Sequence, residues 1–146
     1  MCLIIDANST SAVTNGDPDM KPIMQWLLKD HAHVAVGGAK LAEEYRKVPK
    51  FVSFLANLDA AGKVRRFPDK KVDDCESDSV EKFDLASDDS HIIALAMTSG
   101  SRLLLSKDEN LHKDFGNIEI LKPKGKIYQT AAHAHLLFNP PKCATA

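Results

Sequence analysis

Short apolar runs alternate along this chain with stretches in which apolar side chains recur at helical spacing. The run Cys2–Ile5 is apolar on both faces and stops at Asp6, which is typical of a strand buried in a parallel sheet. Similar runs predict strands at 33–36, 64–67, 102–106 and 118–121. Because strands and helices alternate, we expect an α/β three-layer sandwich in which a five-stranded parallel sheet lies between helices on both faces.

Proline, glycine and capping residues predict where the intervening helices begin and end. The predicted helices cover 22–28, 39–47, 49–62, 89–99, 107–115 and 126–138. The charged stretch 69–83 has little apolar surface and fits either a surface helix or a long loop. Residues 1–138 are expected to form a single domain, followed by a flexible tail at 139–146 that contains two prolines.

The composition excludes several classes of protein. Hydrophobic residues make up 44% of the 146 residues and charged residues 27%, which argues against disorder. The formal net charge of -1 argues against a dedicated DNA-coating protein. Its apolar runs are too short to cross a bilayer. No secretory leader is evident, so we expect a cytoplasmic protein. The three cysteines include no CxxC pair and are expected to be reduced thiols.

Two of the predicted strands end in a carboxylate. Asp6 follows the first strand directly, and Asp108 follows the fourth strand after one residue, Lys107. The carboxyl ends of parallel strands meet at one edge of a sheet. A carboxylate there is costly unless it is solvated, caps a helix or binds a cation.

Two helices offer further acidic side chains. Glu44 lies along the apolar stripe of its helix, whereas Glu43 groups with lysines and fits a solvated ion pair. Asp89 shares a face with the apolar residues of its helix, whereas Asp88 fits the N-cap. The alternatives are an inward glutamate held by an arginine or a backbone N–H, and an aspartate that complements the helix dipole.

Four carboxylates in one pocket would repel one another and raise each other's pKa. The arrangement becomes favourable when a hard divalent cation lies between them, and oxygen ligands suit Mg²⁺ or Mn²⁺. Such a cation promotes phosphoryl transfer because it activates water and neutralises charge on the phosphate. The residues in question are Asp6, Glu44, Asp89 and Asp108.

The order of these motifs resembles the PIN domain, the compact metal-dependent nuclease domain of many toxin–antitoxin ribonucleases. The resemblance covers nearly the whole chain. The motifs are Leu3-Ile4-Ile5-Asp6-Ala7-Asn8, Leu41-Ala42-Glu43-Glu44-Tyr45, Asp89-Ser90-His91-Ile92-Ile93-Ala94-Leu95-Ala96 and Leu104-Leu105-Ser106-Lys107-Asp108.

This resemblance implies an endoribonuclease that uses Mg²⁺ or Mn²⁺. It implies RNA as substrate, a protein antitoxin or inhibitor and a homodimer as partners, and no membrane association. The metal ligands and catalytic residues carried over are Asp6, Glu44, Asp89 and Asp108. Asn8 and Ser106 match positions that orient the pocket, and with the neighbouring Lys107 they form the expected substrate side. His91 is expected to be structural.

A nuclease also needs a cationic surface for the phosphate backbone. Basic side chains cluster in three places: Lys63, Arg65, Arg66, Lys70 and Lys71; Arg46, Lys47 and Lys50; and Lys107 with Lys113. For any one of these residues, a solvated surface position is the simpler interpretation.

Two other functions fit the same pattern. A response-regulator receiver also binds Mg²⁺ with acids at strand ends, but it has adjacent acids after its first strand, where this chain has one. A PIN-like domain without catalysis, acting as a binding or regulatory protein, would keep the acids as local caps. Phosphorylation by a small phosphodonor tests the first alternative, and metal-dependent RNA cleavage tests the second.

Overall fold

Five parallel strands form the central sheet of the computed structural model, which describes residues 1–138 and 142–144. The order across the sheet is β3-β2-β1-β4-β5, and every neighbouring pair is parallel. The inner strands are buried along their whole length because helices cover both faces. The predicted α/β sandwich is therefore confirmed. The strands are β1 (Cys2–Ile5), β2 (His33–Val36), β3 (Val64–Arg66), β4 (Leu103–Leu105) and β5 (Lys126–Tyr128).

Seven α-helices are present in the described part of the chain. The stretch that fitted either a helix or a loop is helix α5, which packs against α6, the most deeply buried helix. Short 3-10 turns cover Ala7–Ser9, Pro18–Met20 and Ala131–Leu137. The α-helices are α1 (Thr10–Thr14), α2 (Lys21–Leu27), α3 (Ala39–Arg46), α4 (Pro49–Ala60), α5 (Asp69–Lys82), α6 (Ser90–Ser99) and α7 (Glu109–Phe115).

The fifth strand is not where the sequence predicts it. The segment 118–121 is a turn, because the backbone N–H groups of Ile120 and Leu121 both donate to the carbonyl of Asn117, at 3.0 Å. The fifth strand is instead β5, in the segment predicted as a helix over 126–138, and a 3-10 turn follows it. Both predictions are wrong because a three-residue edge strand carries too little hydrophobic pattern to be recognised.

A disulfide joins Cys2 of β1 to Cys143, whose Cα atoms are 5.2 Å apart. The expectation of reduced thiols is wrong for this pair, whereas Cys75 is free. Residues 142–144 of the predicted flexible tail pack against the domain, and the N–H of Ala144 donates to the carbonyl of Ser99 at 2.6 Å. The rest of that predicted tail, at 139–141 and 145–146, lies outside the described residues.

The strand order locates the edge at which ligands bind in sheets of this kind. The chain moves from β1 to one side of the sheet through β2 and β3, and to the other side through β4 and β5. The carboxyl ends of β1 and β4 therefore flank the topological switch point, where open α/β sheets form their sites. Receiver domains have the order 2-1-3-4-5, so the receiver alternative is wrong.

Crossing a bilayer requires a helix that is both long and apolar, and no described helix meets both conditions.

Candidate metal centre

The carboxylate of Asp6 ties together the ends of β1 and β4. Asp6 is buried, and it accepts hydrogen bonds from the N–H of Ala7 and the hydroxyl of Ser106, both at 2.8 Å. Burial raises the pKa of Asp6; these two hydrogen bonds oppose that rise, and the nearby charge of Glu44 adds to it. Asp6, the first of the four predicted acids, therefore lies at the switch point. Ser106, in the loop that follows β4, holds its carboxylate in place.

Asn8 and Ser106 connect the two loops that follow these strands. The side-chain amide of Asn8 donates to the Ser106 hydroxyl oxygen at 3.3 Å, and its carbonyl accepts from the N–H of Lys107 at 3.1 Å. The same hydroxyl oxygen accepts from the N–H of Asp108 at 3.1 Å. Both residues therefore link the loop after β1 to the loop after β4 beside Asp6. The side chain of Lys107 is exposed beside them.

Asp108 is the N-cap of helix α7 and lies beside Asp89. One oxygen of its carboxylate accepts from the N–H groups of Asn110 at 2.9 Å and Leu111 at 3.3 Å. Burial alone would raise the pKa of Asp108, but hydrogen bonds from Asp89 and from these N–H groups lower it overall. Asp108 is therefore a helix cap that also forms one side of the acidic cluster.

Asp89 occupies the N-cap position of α6 without capping it. The position expected for Asp88 is taken by Asp89, whose side chain makes no cap hydrogen bond, and Asp88 is exposed. Burial raises the pKa of Asp89 to about 7, and the hydrogen bond with Asp108 and the charges of Asp6 and Glu44 contribute to the rise. The side chain of Asp89 therefore interacts with the other acids of the cluster and does not cap its own helix.

The loop before Asp89 is fastened to α7 by a buried aspartate that the sequence analysis did not single out. The two carboxylate oxygens of Asp114 accept from the N–H of Ala86 at 2.8 Å and of Ser87 at 2.9 Å. Asp114 is 3% exposed. This bidentate contact fixes the backbone two residues before Asp89, the N-cap of α6.

Glu44 and His91 complete the cluster from helices α3 and α6. Glu44 points inward with a side chain 28% exposed, whereas Glu43 is exposed to solvent. The Oε1 atom of Glu44 and the Nε2 atom of His91 are 2.6 Å apart. This contact is an ion pair when the imidazole is protonated. Its orientation is not that of a hydrogen bond, and among the described residues neither this oxygen nor either ring nitrogen of His91 has a hydrogen-bond partner.

These unpartnered atoms have the geometry of a cation site. Glu44, Asp89 and His91 each present one ligand atom, and the three atoms lie within 4.8 Å of one another. His91 is 2% exposed, and burial lowers its pKa although Glu44 acts in the opposite direction. A neutral imidazole has a free lone pair and is the form that binds metals. The set does not include Asp6 or Asp108, which border it.

The sequence analysis treated His91 as structural and so missed its place in the cluster. Residues two positions apart in the middle of a helix point about 200° away from each other. This spacing therefore gives no sign in the sequence that Asp89 and His91 face the same site. Asp89, however, has the non-helical backbone of an N-cap, with φ -99° and ψ 44°. Its side chain can therefore point toward the same space as that of His91.

The cationic clusters are only partly available to a substrate. Arg66 pairs with Asp59 at 2.9 Å and Lys70 pairs with Asp74 at 2.7 Å. Lys107 is exposed at the rim of the acidic cluster. The Nζ atom of Lys40 also lies beside the cluster, where it donates to the carbonyl of Asp88 at 3.3 Å.

Comparison with models of protein families, with curated proteins and with solved structures found no match to this chain. What the structure shows by itself is a group of two carboxylates and one imidazole that can hold a metal ion at the switch point of the sheet.

Proposed function

We propose that this protein is a metal-dependent nuclease of the PIN type and that it cleaves RNA as an endoribonuclease. The observation that carries the proposal is the set of buried atoms without hydrogen-bond partners on Glu44 and His91, beside the half-buried carboxylate of Asp89. A buried polar atom without a partner costs about 1–3 kcal/mol. A cation bound between these side chains would remove that cost.

The donor set fits a divalent cation but differs from the all-oxygen set expected from the sequence. Glu44 and Asp89 offer carboxylate oxygens, whereas His91 offers a nitrogen. Imidazole favours the later transition metals over Mg²⁺, and carboxylates suit Mn²⁺. Of the two cations implied by the resemblance, we therefore favour Mn²⁺. When bound, such a cation would activate water and neutralise charge on the scissile phosphate.

The other residues of the site have separate tasks in this proposal. Asp6, held by the Ser106 hydroxyl, would supply a further carboxyl group beside the three ligands. Asp108 lies outside the ligand set, and in this proposal its carboxylate would accept the proton of the attacking water. Lys107 would meet a phosphate of the substrate from the exposed side.

The choice of RNA rests on the resemblance to PIN domains. The same resemblance implies a protein antitoxin or inhibitor and a homodimer, which remain expectations within this proposal. The non-catalytic alternative predicts a cation site without cleavage.

Cleavage of a labelled single-stranded RNA, with Mn²⁺, with Mg²⁺ and with chelator, tests the proposal. We expect internal cleavage with Mn²⁺ and none with chelator. Glu44→Gln should lower the rate by about 100-fold or more, because a ligand is lost. Glu43→Gln is the matched control, since it changes the adjacent exposed glutamate and should leave the rate within about twofold.

Cleavage that persists in chelator, or that Glu44→Gln leaves unchanged, would overturn the assignment. Metal binding is measured in parallel by calorimetry with Mn²⁺. His91→Gln should weaken Mn²⁺ binding by about 10-fold or more. If the wild type binds Mn²⁺ but cleaves no RNA, the non-catalytic alternative is correct.

A further inference from the structure

A pocket of about 890 Å³ lies at the end of the sheet opposite the metal centre. Strands β1 and β2 begin beside it, at Cys2 and His33. Asp6 comes four residues after Cys2, which is roughly 13 Å along an extended strand. The pocket is therefore separate from the acidic cluster, and what it binds does not depend on the proposed nuclease activity.

Basic side chains outnumber acidic ones in the described lining of this pocket. Arg65 and Lys142 line it together with two histidines, and Asp30 is the one acidic residue among the described lining. Within residues 1–138 and 142–144, neither Arg65 nor Lys142 takes part in an ion pair. Arg65 and Lys142 outnumber this single acid, and like charges repel one another, so the arrangement suits an anionic ligand.

A buried imidazole forms part of the same wall. His33 is 8% exposed, and its Nδ1 atom has no hydrogen-bond partner among the described residues. Arg65 is the register partner of Ala35, two residues after His33, so both side chains lie on the same face of the sheet. Burial lowers the pKa of His33, and the charge of Arg65 adds to this effect.

Lys142 and Cys143 form another part of the pocket lining, and a disulfide holds this segment in place. Lys142 precedes Cys143, which the disulfide joins to Cys2 at the start of β1. The hydrogen bond from Ala144 to Ser99 fixes the following residue. The backbone that carries Lys142 is therefore fastened to the sheet, which reduces the ordering cost of binding a ligand there.

We propose that this pocket binds a phosphoryl group, with Arg65 and Lys142 on its oxygens and His33 at the buried wall. A guanidinium offers two parallel donors to phosphate oxygens, and an ammonium adds a point charge. The volume lies in the range of small-molecule sites, so it accommodates a nucleotide as well as a free phosphate. The phosphoryl group arrives either on a free nucleotide or at the end of a nucleic-acid strand.

Titration of metal-free protein in chelator tests this proposal, because chelator prevents phosphate from binding through a metal. The probes are inorganic phosphate and AMP. Their binding is measured by calorimetry and by changes in the NMR signals of the His33 ring. We expect saturable binding that shifts His33 but not the exposed His135. Arg65→Ala and Lys142→Ala should each weaken binding by about 10-fold, since each removes a charge-assisted hydrogen bond.

Arg66→Ala is the matched control. Arg66 is the next residue of the same strand, but it pairs with Asp59, so its loss should change the affinity by less than about twofold. Equal losses for Arg65→Ala and Arg66→Ala would show general surface attraction and overturn the proposal. So would phosphate binding that does not saturate or that leaves the His33 signals unmoved.

The source of the phosphoryl group is decided by a pair of short oligoribonucleotides with and without a 5′-phosphate. Tighter binding of the phosphorylated strand than of AMP identifies a strand end. Tighter binding of AMP than of either strand identifies a free nucleotide. Both results support a phosphoryl site, whereas equal affinity for the two strands together with no binding of AMP would overturn it.

Discussion

Asp89 destabilises the metal-free protein when it is ionised. Burial and three neighbouring carboxylates raise its pKa from the ordinary 3.8 to about 7. When the pKa of an acid is higher in the folded state than in the unfolded state, the protein loses stability as the pH rises from the unfolded-state pKa to the folded-state pKa. The free energy of unfolding should therefore fall between pH 4 and pH 7 on account of this residue.

We predict that Asp89→Asn stabilises the metal-free protein at pH 7.5 by about 1 kcal/mol, since water screens a half-buried group. The gain should shrink toward pH 4, where the wild-type carboxyl is protonated. Urea unfolding in chelator at the two pH values measures it. Asp88→Asn, at the adjacent exposed position, should show no such difference, and a destabilised Asp89→Asn would instead indicate a structural acid.

The sequence predicts side chains well where one helix face decides the outcome. The apolar stripe of α3 distinguishes Glu44 from Glu43. Glu44 lies along this stripe and is predicted to point inward, whereas Glu43 lies on the lysine-rich face and is predicted to be exposed. It does not identify His91, whose approach to Glu44 depends on how α3 and α6 meet. Such a contact between elements distant in the chain is set by tertiary packing, which periodicity does not encode.

At the scale of elements, the start of α6 depends on α7. We predict that Asp114→Asn destabilises the protein by about 1–2 kcal/mol, because an amide nitrogen replaces one acceptor of the backbone N–H groups of Ala86 and Ser87. Mn²⁺ affinity should fall as well, because the loop that positions Asp89 loosens. Thermal melts and calorimetry measure the two effects.

Asp84→Asn is the control for this prediction. Asp84 is an exposed acid just before the same loop, and its substitution should change neither stability nor metal affinity. If Asp114→Asn lowers stability but leaves Mn²⁺ affinity intact, the loop does not position Asp89.

The sequence predicts a helix or strand more reliably when the element contains a longer run of apolar residues. β1, β2, β4 and α6 are nearly continuous apolar runs, and their burial follows directly. β5 has only three residues, and just one of them, Tyr128, is fully buried. Its pairing with β4 is a property of the assembled sheet, so a local pattern at 118–121 was the stronger but misleading signal.

For the whole molecule, metal binding should appear as added stability. A ligand at 100 times its Kd stabilises the folded state by about 2.7 kcal/mol, which corresponds to a rise in Tm of roughly 5–10 °C for a chain of this size. We expect this rise with Mn²⁺, its reversal by chelator and its absence in Glu44→Gln. An equal rise in that variant would place the cation elsewhere.

The disulfide acts on the whole chain because it closes a loop with a sequence separation of 141. We predict that Cys143→Ser lowers the free energy of unfolding by about 2–5 kcal/mol, as the unfolded chain regains freedom. Reductant should affect the wild type equally and the variant not at all. Cys75→Ser, at the free cysteine, serves as the control, and unchanged stability in Cys143→Ser would contradict the prediction.

From Cys2 to Cys143 the polypeptide is topologically a ring. A protease that cuts once at the exposed turn around Gly62, between α4 and β3, would therefore produce two fragments that still migrate as one molecule on a non-reducing gel. The strands on either side of the cut would stay at high effective concentration, because the covalent bridge replaces the severed peptide bond as their connection. Nicked protein should accordingly refold as a unimolecular species until a thiol opens the ring.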